Sequence, residues 1–260
     1  VNTPLPIAEN AVNELVRLAA YAQTNDLLVK RHELALRAAL ARGSARPELA
    51  WIGLAAAACI QGKHDECMRC VRAAVDLAAR DAIIIATGIA LLSDIGELDQ
   101  AEKLSEQLQA IVEPDDRDWI WLLANLHLRA LNFEDAIKMM QRFGADADEQ
   151  SILLTKQLLE VANRHHVSLE KRRELVKVAL HTVRAQGCAI KQTALEDFGD
   201  TGARFEFYVD VSPSRCGEIN QVIAEVLCER FDDPVPEVVT FACRPVESYE
   251  FHGKFVPVQR

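Results

Sequence analysis

Three clusters in the sequence carry side chains able to do chemistry. His64-x2-Cys67-x2-Cys70 offers an imidazole and two thiols, the donors that zinc takes up. Positions i, i+3 and i+6 of a helix do not converge on one ion, and no fourth donor accompanies them, so no metal is expected there. His165-His166 is a tandem pair near a helix end. With no carboxylate or cysteine at helical spacing, it is expected to be exposed or to complement the helix-end charge. Asp210-x-Ser212-x-Ser214-Arg215-Cys216 stands between a strand and a helix, where α/β proteins hold anions against backbone N–H groups. It lacks the Gly-x-Gly spacing of a phosphate loop and the downstream arginine of a cysteine phosphatase loop. N-capping by Ser212 or Ser214 accounts for its polar residues. Asp210, Ser212, Ser214, Arg215 and Cys216 are the candidate ligand site of an alternative reading. With no Ser-His-Asp set, Walker loop or dinucleotide fingerprint, a non-catalytic protein without metal or cofactor is expected.

The elements that position these clusters follow from composition and period. The chain has 260 residues, 50% of them hydrophobic and 26% charged, as in an ordinary globular protein. Its 29 basic and 39 acidic side chains leave a net charge of −10, which argues against nucleic-acid binding. Val1–Asn10 lacks the layout of a signal peptide, and no apolar run is long enough to span a bilayer. Seven cysteines at 59, 67, 70, 188, 216, 228 and 243 are not a disulfide framework and point to a reducing, cytoplasmic setting. Composition shifts near 187: Leu195–Arg260 holds nine of the 15 aromatics, five of the nine prolines and a net charge of −7. Two domains are expected, a helical one over 1–187 and a small α+β one over 188–260.

The helical part repeats. Gly62-Lys63-His64-Asp65-Glu66-Cys67, Gly96-Glu97-Leu98-Asp99-Gln100-Ala101 and Leu131-Asn132-Phe133-Glu134-Asp135-Ala136 each place a turn before an acidic helix start and a small residue five positions on. Upstream helices carry Trp51-x2-Leu54-Ala55-x2-Ala58, Gly88-Ile89-x2-Leu92 and Leu123-Ala124-x2-His127. The spacings are 34 and 35 residues. In this register His64, Cys67 and Cys70 occupy the slots of Leu98, Ala101 and Leu104 and of Phe133, Ala136 and Met139, which are packing positions.

This pattern resembles the tetratricopeptide repeat, with units at about 48–81, 82–116 and 117–147. Val71, Ser105 and Met140 stand where that family has an aromatic. The flanking stretches Asn10–Gln23 with Asp26–Arg42, and Glu149–Arg164 with Ser168–Gln186, read as further helical pairs that cap a solenoid of about ten helices. The resemblance implies a groove lined by Leu49, Ile52, Ala56 and Cys59, then Ile83, Ala86, Ala90, Ser93 and Asp94, then Asp118, Trp121, Asn125, Leu128 and Arg129. Ile52 and Ala56 disfavour a carboxylate clamp, so an apolar or amphipathic segment gripped near Trp121 is expected. The same residue types would equally serve packing by the chain's own flanking helices or by a second copy.

In the last quarter, Arg204–Val211 alternates, with Phe205, Phe207, Val209 and Val211 on one face of a half-buried strand. An amphipathic helix follows over about Arg215–Arg230, then a strand over Glu237–Arg244, an order that makes the two strands parallel. Cys188–Glu196 would pair as a hairpin through Gly199 and Gly202, and Tyr249–Val258 would add a strand. The expected function is that of a non-catalytic adaptor, chaperone or inhibitory partner that holds another protein, without nucleic acid or membrane insertion. The alternatives are an enzyme or ligand sensor with its site at Asp210–Cys216, and a structural homo-oligomer or homodimer.

Overall fold

Helix starts follow local capping chemistry. Asn25, Asp81, Ser168 and Ser212 each accept a hydrogen bond from a backbone N–H two or three residues on, and Pro47 and Pro213 stand in the first turn of their helices. In the computed structural model, residues 7–43, 46–113, 116–142, 149–198, 202–251 and 258 are described. Ten helices pair in sequence: α1 (Ile7–Ala20) with α2 (Asp26–Arg42), α3 (Pro47–Ile60) with α4 (His64–Leu77), α5 (Ala82–Asp94) with α6 (Leu98–Gln109), α7 (Arg117–Arg129) with α8 (Phe133–Arg142), and α9 (Glu149–Arg164) with α10 (Leu169–Ala185).

One turn joins the two helices of every pair. Ala22, Gly62, Gly96, Leu131 and His166 all have positive φ, between 49° and 77°. The N–H of the next residue then bonds a carbonyl five residues back: Gln23 to Leu18, Lys63 to Ala58, Glu97 to Leu92, Asn132 to His127 and Val167 to Ala162, at 2.8–2.9 Å. This is the left-handed helix stop in which the chain reverses while two terminal carbonyls stay bonded. From Gly62 onward the turns recur every 34 or 35 residues, so the spacing of the three repeats continues into the α9–α10 pair.

Compactness divides the chain into Val1–Ile111 with Tyr249–Arg260, and Val112–Ser248. The composition break at 187 is not where the compact units part, because α10 lies against the helix that follows it inside the second unit. In the first unit α3 and α5 are apolar on every side and buried, as a helix without a polar face must be. Gly53 receives Leu36, and Gly88 receives Val71, in each case from the second helix of the preceding pair and seventeen residues earlier. Val258, which is buried, donates its N–H to Asn13 Oδ1 at 2.8 Å, and the Phe251 ring lies 4.6 Å from Tyr21.

The second unit contains a three-stranded sheet, β1 (Ile190–Asp197), β2 (Ala203–Val209) and β3 (Val239–Pro245), in the order β1-β2-β3. β1 and β2 form an antiparallel hairpin, and β2 and β3 run parallel across the helix α11 (Pro213–Arg230). Two sequence expectations change. Asp210 and Val211 fall outside β2, and β2 is buried on both faces: Phe205, Phe207 and Val209 on one, Glu206 and Tyr208 on the other. A central strand with α11 along β3, and α7 and α9 against β1, has no solvated face. No strand covers Tyr249–Phe251, and 252–257, like Gly199, lie outside the described residues.

Candidate functional site

Four side chains on α7 recur at helical spacing and so share one face: Trp121, Asn125, Leu128 and Arg129. All four are half-buried, whereas Trp119, Ile120, Leu123 and Ala124 are in the core. Asn125 Nδ2 donates to the Trp121 carbonyl oxygen at 3.0 Å, which lays the amide along the stripe. The result is an apolar ring and an apolar branch beside a cation and an amide. Asp118 heads the same stretch, but its side chain lies outside the described residues.

The corresponding residues of α3 are placed differently. Leu49, Ile52, Ala56 and Cys59 are buried. Gly53, on the same face, sits so close to Val12 of α1 and Leu36 of α2 that an added Cβ would meet both within 3 Å. The chain's own first helical pair therefore occupies the face that a bound segment would need. On α5, Ile83 and Ala90 are half-buried, while Ala86, Ser93 and Asp94 are buried. Of the expected lining, the α7 stripe is the best exposed.

No family model matches the chain, and no curated protein or solved structure matches it.

The three chemical clusters resolve as follows. Cys67 is fully buried, as are Ala101 and Ala136 in the equivalent slots, and burial pushes the Cys70 thiol up to about 11. Those thiols pack as small apolar groups, and among the described residues no group of three His, Cys, Asp or Glu side chains is arranged to hold a metal ion. His165 and His166 are exposed, and His166 is the left-handed residue of its turn. In the 210–216 segment, Ser212 Oγ accepts the Arg215 N–H at 3.3 Å and caps α11. Arg215 itself is engaged by Glu218 at 2.7 Å and by Gln186 at 3.1 Å. Asp210 and Ser214 are exposed and Cys216 is buried, so these side chains do not converge on a common point in solvent.

The sequence reading missed a polar network on the second face of β2. Glu206 is fully buried and accepts from Arg204 Nε at 2.8 Å, from Arg244 Nη1 at 3.2 Å and from the Tyr208 hydroxyl. Arg204 also reaches Glu196 on β1 at 2.5 Å. Burial, and then the Glu206 carboxylate, push the Tyr208 phenol upward, so it remains a donor. The period-two run Arg204, Glu206, Tyr208 has the pattern of a solvent-facing edge, and nothing local marks the cover over it. Among the described residues no helix is long and apolar enough to cross a membrane.

Proposed function

We propose that the protein is a non-catalytic binding partner that holds an apolar or amphipathic segment of another protein along the α7 stripe, in the manner of tetratricopeptide-repeat adaptors. The observation that carries this reading is Trp121, a tryptophan left half covered on a helix whose other faces are core, with Asn125, Leu128 and Arg129 in line with it. Partly exposed aromatics flanked by a cation and an amide are what interface hot spots are built from. The recurring turn of the five helical pairs supports the family resemblance. The α3 face is left to the protein's own α1 and α2, which shortens the expected groove to its third repeat.

Affinity capture from extracts of the source cells, quantified by mass spectrometry, tests the reading with Trp121→Ala and Trp119→Phe. A hot-spot aromatic contributes ~2 kcal/mol or more, so a partner's affinity should fall roughly 30-fold or more with Trp121→Ala and survive Trp119→Phe. Recovery of the chain alone, or equal recovery of every partner with both variants, removes the reading.

A further inference from the structure

The outward face of α2 departs from a pattern that the later helical pairs keep. Leu36 of α2 and Val71 of α4 each fill the space over a glycine seventeen residues on, so they occupy equivalent positions. Ser105 of α6 and Met140 of α8 continue the series at spacings of 34 and 35 residues. Two residues before these positions α4, α6 and α8 carry the exposed cations Arg69, Lys103 and Lys138, and five residues before them Glu66, Gln100 and Asp135. Glu66 pairs with Arg69 at 3.5 Å and Asp135 with Lys138 at 2.7 Å, the i, i+3 pairing of a solvated helix. In α2 the same two slots hold Leu34 and Arg31. The cation has become apolar, and the anion a cation.

Leu34 is 56% exposed, and Leu27, one heptad earlier, is 84% exposed, more than any other large apolar side chain among the described residues. With Arg31, Ala38 and Ala41 they form one row at i, i+4, i+7, i+11 and i+14, about 21 Å long. A single exposed leucine is ordinary, whereas a row of this period is the seam against which a second helix packs. The charge along the seam is one-sided. Of the two acids on α2, Glu33 is buried and already holds Lys30 at 3.1 Å and Arg37 at 3.0 Å. Arg31 is exposed and in no ion pair among the described residues. Residues 26–80 hold nine basic and six acidic side chains, whereas the remainder of the chain holds 20 and 33.

We propose that this face of α2 docks an acidic amphipathic helix of a partner protein, about four turns long, with Leu27 and Leu34 against its apolar stripe and Arg31 against a carboxylate beside that stripe. Charge decides the occupant. A second copy docked across a two-fold axis would set Arg31 and Lys30 against their own counterparts. An anionic bilayer would repel a chain of net charge −10, and nucleic acid would leave the leucines without a role. A helix whose leucines are flanked by Asp and Glu meets both the apolar row and the cation, and Arg31 selects it against a basic one. This contact is separate from the α7 stripe and does not rest on it.

Fluorescence anisotropy with the full chain tests this. The probe is a synthetic amphipathic helix of about four turns, with leucines at heptad spacing flanked by glutamates, and its control carries lysines in place of the glutamates. The acidic peptide should bind at least about tenfold more tightly than the basic one, and less tightly as salt rises. Leu34→Arg, which gives α2 the residue of the α4 slot, should weaken binding by about tenfold or more, and Arg31→Glu should reverse the preference between the two peptides. Both side chains are exposed, and circular dichroism and melting temperature check that each variant keeps its fold. Trp121→Ala should leave this binding unchanged. Equal binding of the two peptides, no binding of the acidic one, or binding lost in Trp121→Ala and kept in Leu34→Arg overturns the proposal. Dimerisation, or binding to phosphatidylserine vesicles or duplex DNA, that Leu34→Arg or Arg31→Glu abolishes would give the face to another occupant and overturn it as well.

Discussion

Arg172 of α10 donates through Nη1 to the carbonyl oxygen of Leu131, the left-handed residue of the α7–α8 turn, at 2.5 Å. The same guanidinium reaches Glu134 at 2.6 Å through Nη2 and lies 4.9 Å from the centroid of the Phe133 ring. It is 1% exposed, and Leu131 is fully buried. One arginine thus holds a reversed backbone and the first residues of α8 together. Arg172→Leu leaves that carbonyl without its donor and is expected to destabilise the protein by about 3 kcal/mol, read from urea unfolding. Arg172→Lys keeps the charge but cannot fork to two acceptors, and should restore less than half. A loss under 1 kcal/mol for Arg172→Leu would mean the turn does not depend on it.

His166 occupies the same left-handed position as Gly62 and Gly96, but with a Cβ and an exposed side chain. The conformation costs an L-residue roughly 1 kcal/mol that glycine avoids. His166→Gly should therefore raise the melting temperature, and Gly96→Ala, made at φ 77°, should lower it. No change in either variant would show that these turns carry no strain.

Acid should weaken the fold in two stages. Burial lowers the His127 imidazole below its usual value of 6.5, with Asp135 opposing that and Arg173 and Lys138 adding to it. A depressed imidazole stabilises the neutral-pH fold, and that contribution fades as pH drops below 6.5. Burial would raise the Glu33 carboxyl, but hydrogen bonds from Gln61, Lys30 and Arg37 outweigh it and hold it at about 2. Its contribution is complete above 4.5 and is lost as pH falls toward 2. Melting temperature against pH should show both slopes. His127→Gln should flatten the upper slope and Glu33→Gln the lower, and an unchanged profile in either variant would contradict the assignment.

Fragments distinguish a division of the chain at 187 from one at 111. A fragment of 112–248 keeps α10 with α11 and the helices against β1, and is expected to unfold cooperatively on heating. A fragment of 1–187 uncovers the face of α10 that α11 protects, and the β1-facing sides of α7 and α9, so it should aggregate or bind a hydrophobic dye. Circular dichroism and light scattering decide between them, and a soluble, cooperative 1–187 fragment would favour the boundary at 187.

Most helices were legible because each carries its own signals. Ser168 marks the start of α10 and Gly187 follows its end, and the alternation of Phe205 and Phe207 marks β2. The residues of the α7 stripe were legible only through the resemblance to the tetratricopeptide repeat, and the structure adds that they are half-buried. The occupancy of the α3 face was not legible, because Leu49, Ile52 and Ala56 have the same residue types whether they meet a foreign segment or Val12 and Leu36. Nor was the burial of Glu206, since it depends on elements brought together from tens of residues away. At Leu131 and His166 the break between helices was legible but the left-handed backbone was not, because the residue there is not glycine.

The return of Phe251 and Val258 to Tyr21 and Asn13 has a consequence for biosynthesis. A ribosome delivers α1 first and residues 251–258 more than two hundred codons later. Throughout elongation the surface at Asn13 and Tyr21 that Val258 and Phe251 will cover stands open to chaperones and proteases, and a frameshift in between leaves it so. The nascent first unit thus waits on residues translated long after its own helices, and a lesion at Phe251 would be felt beside Tyr21.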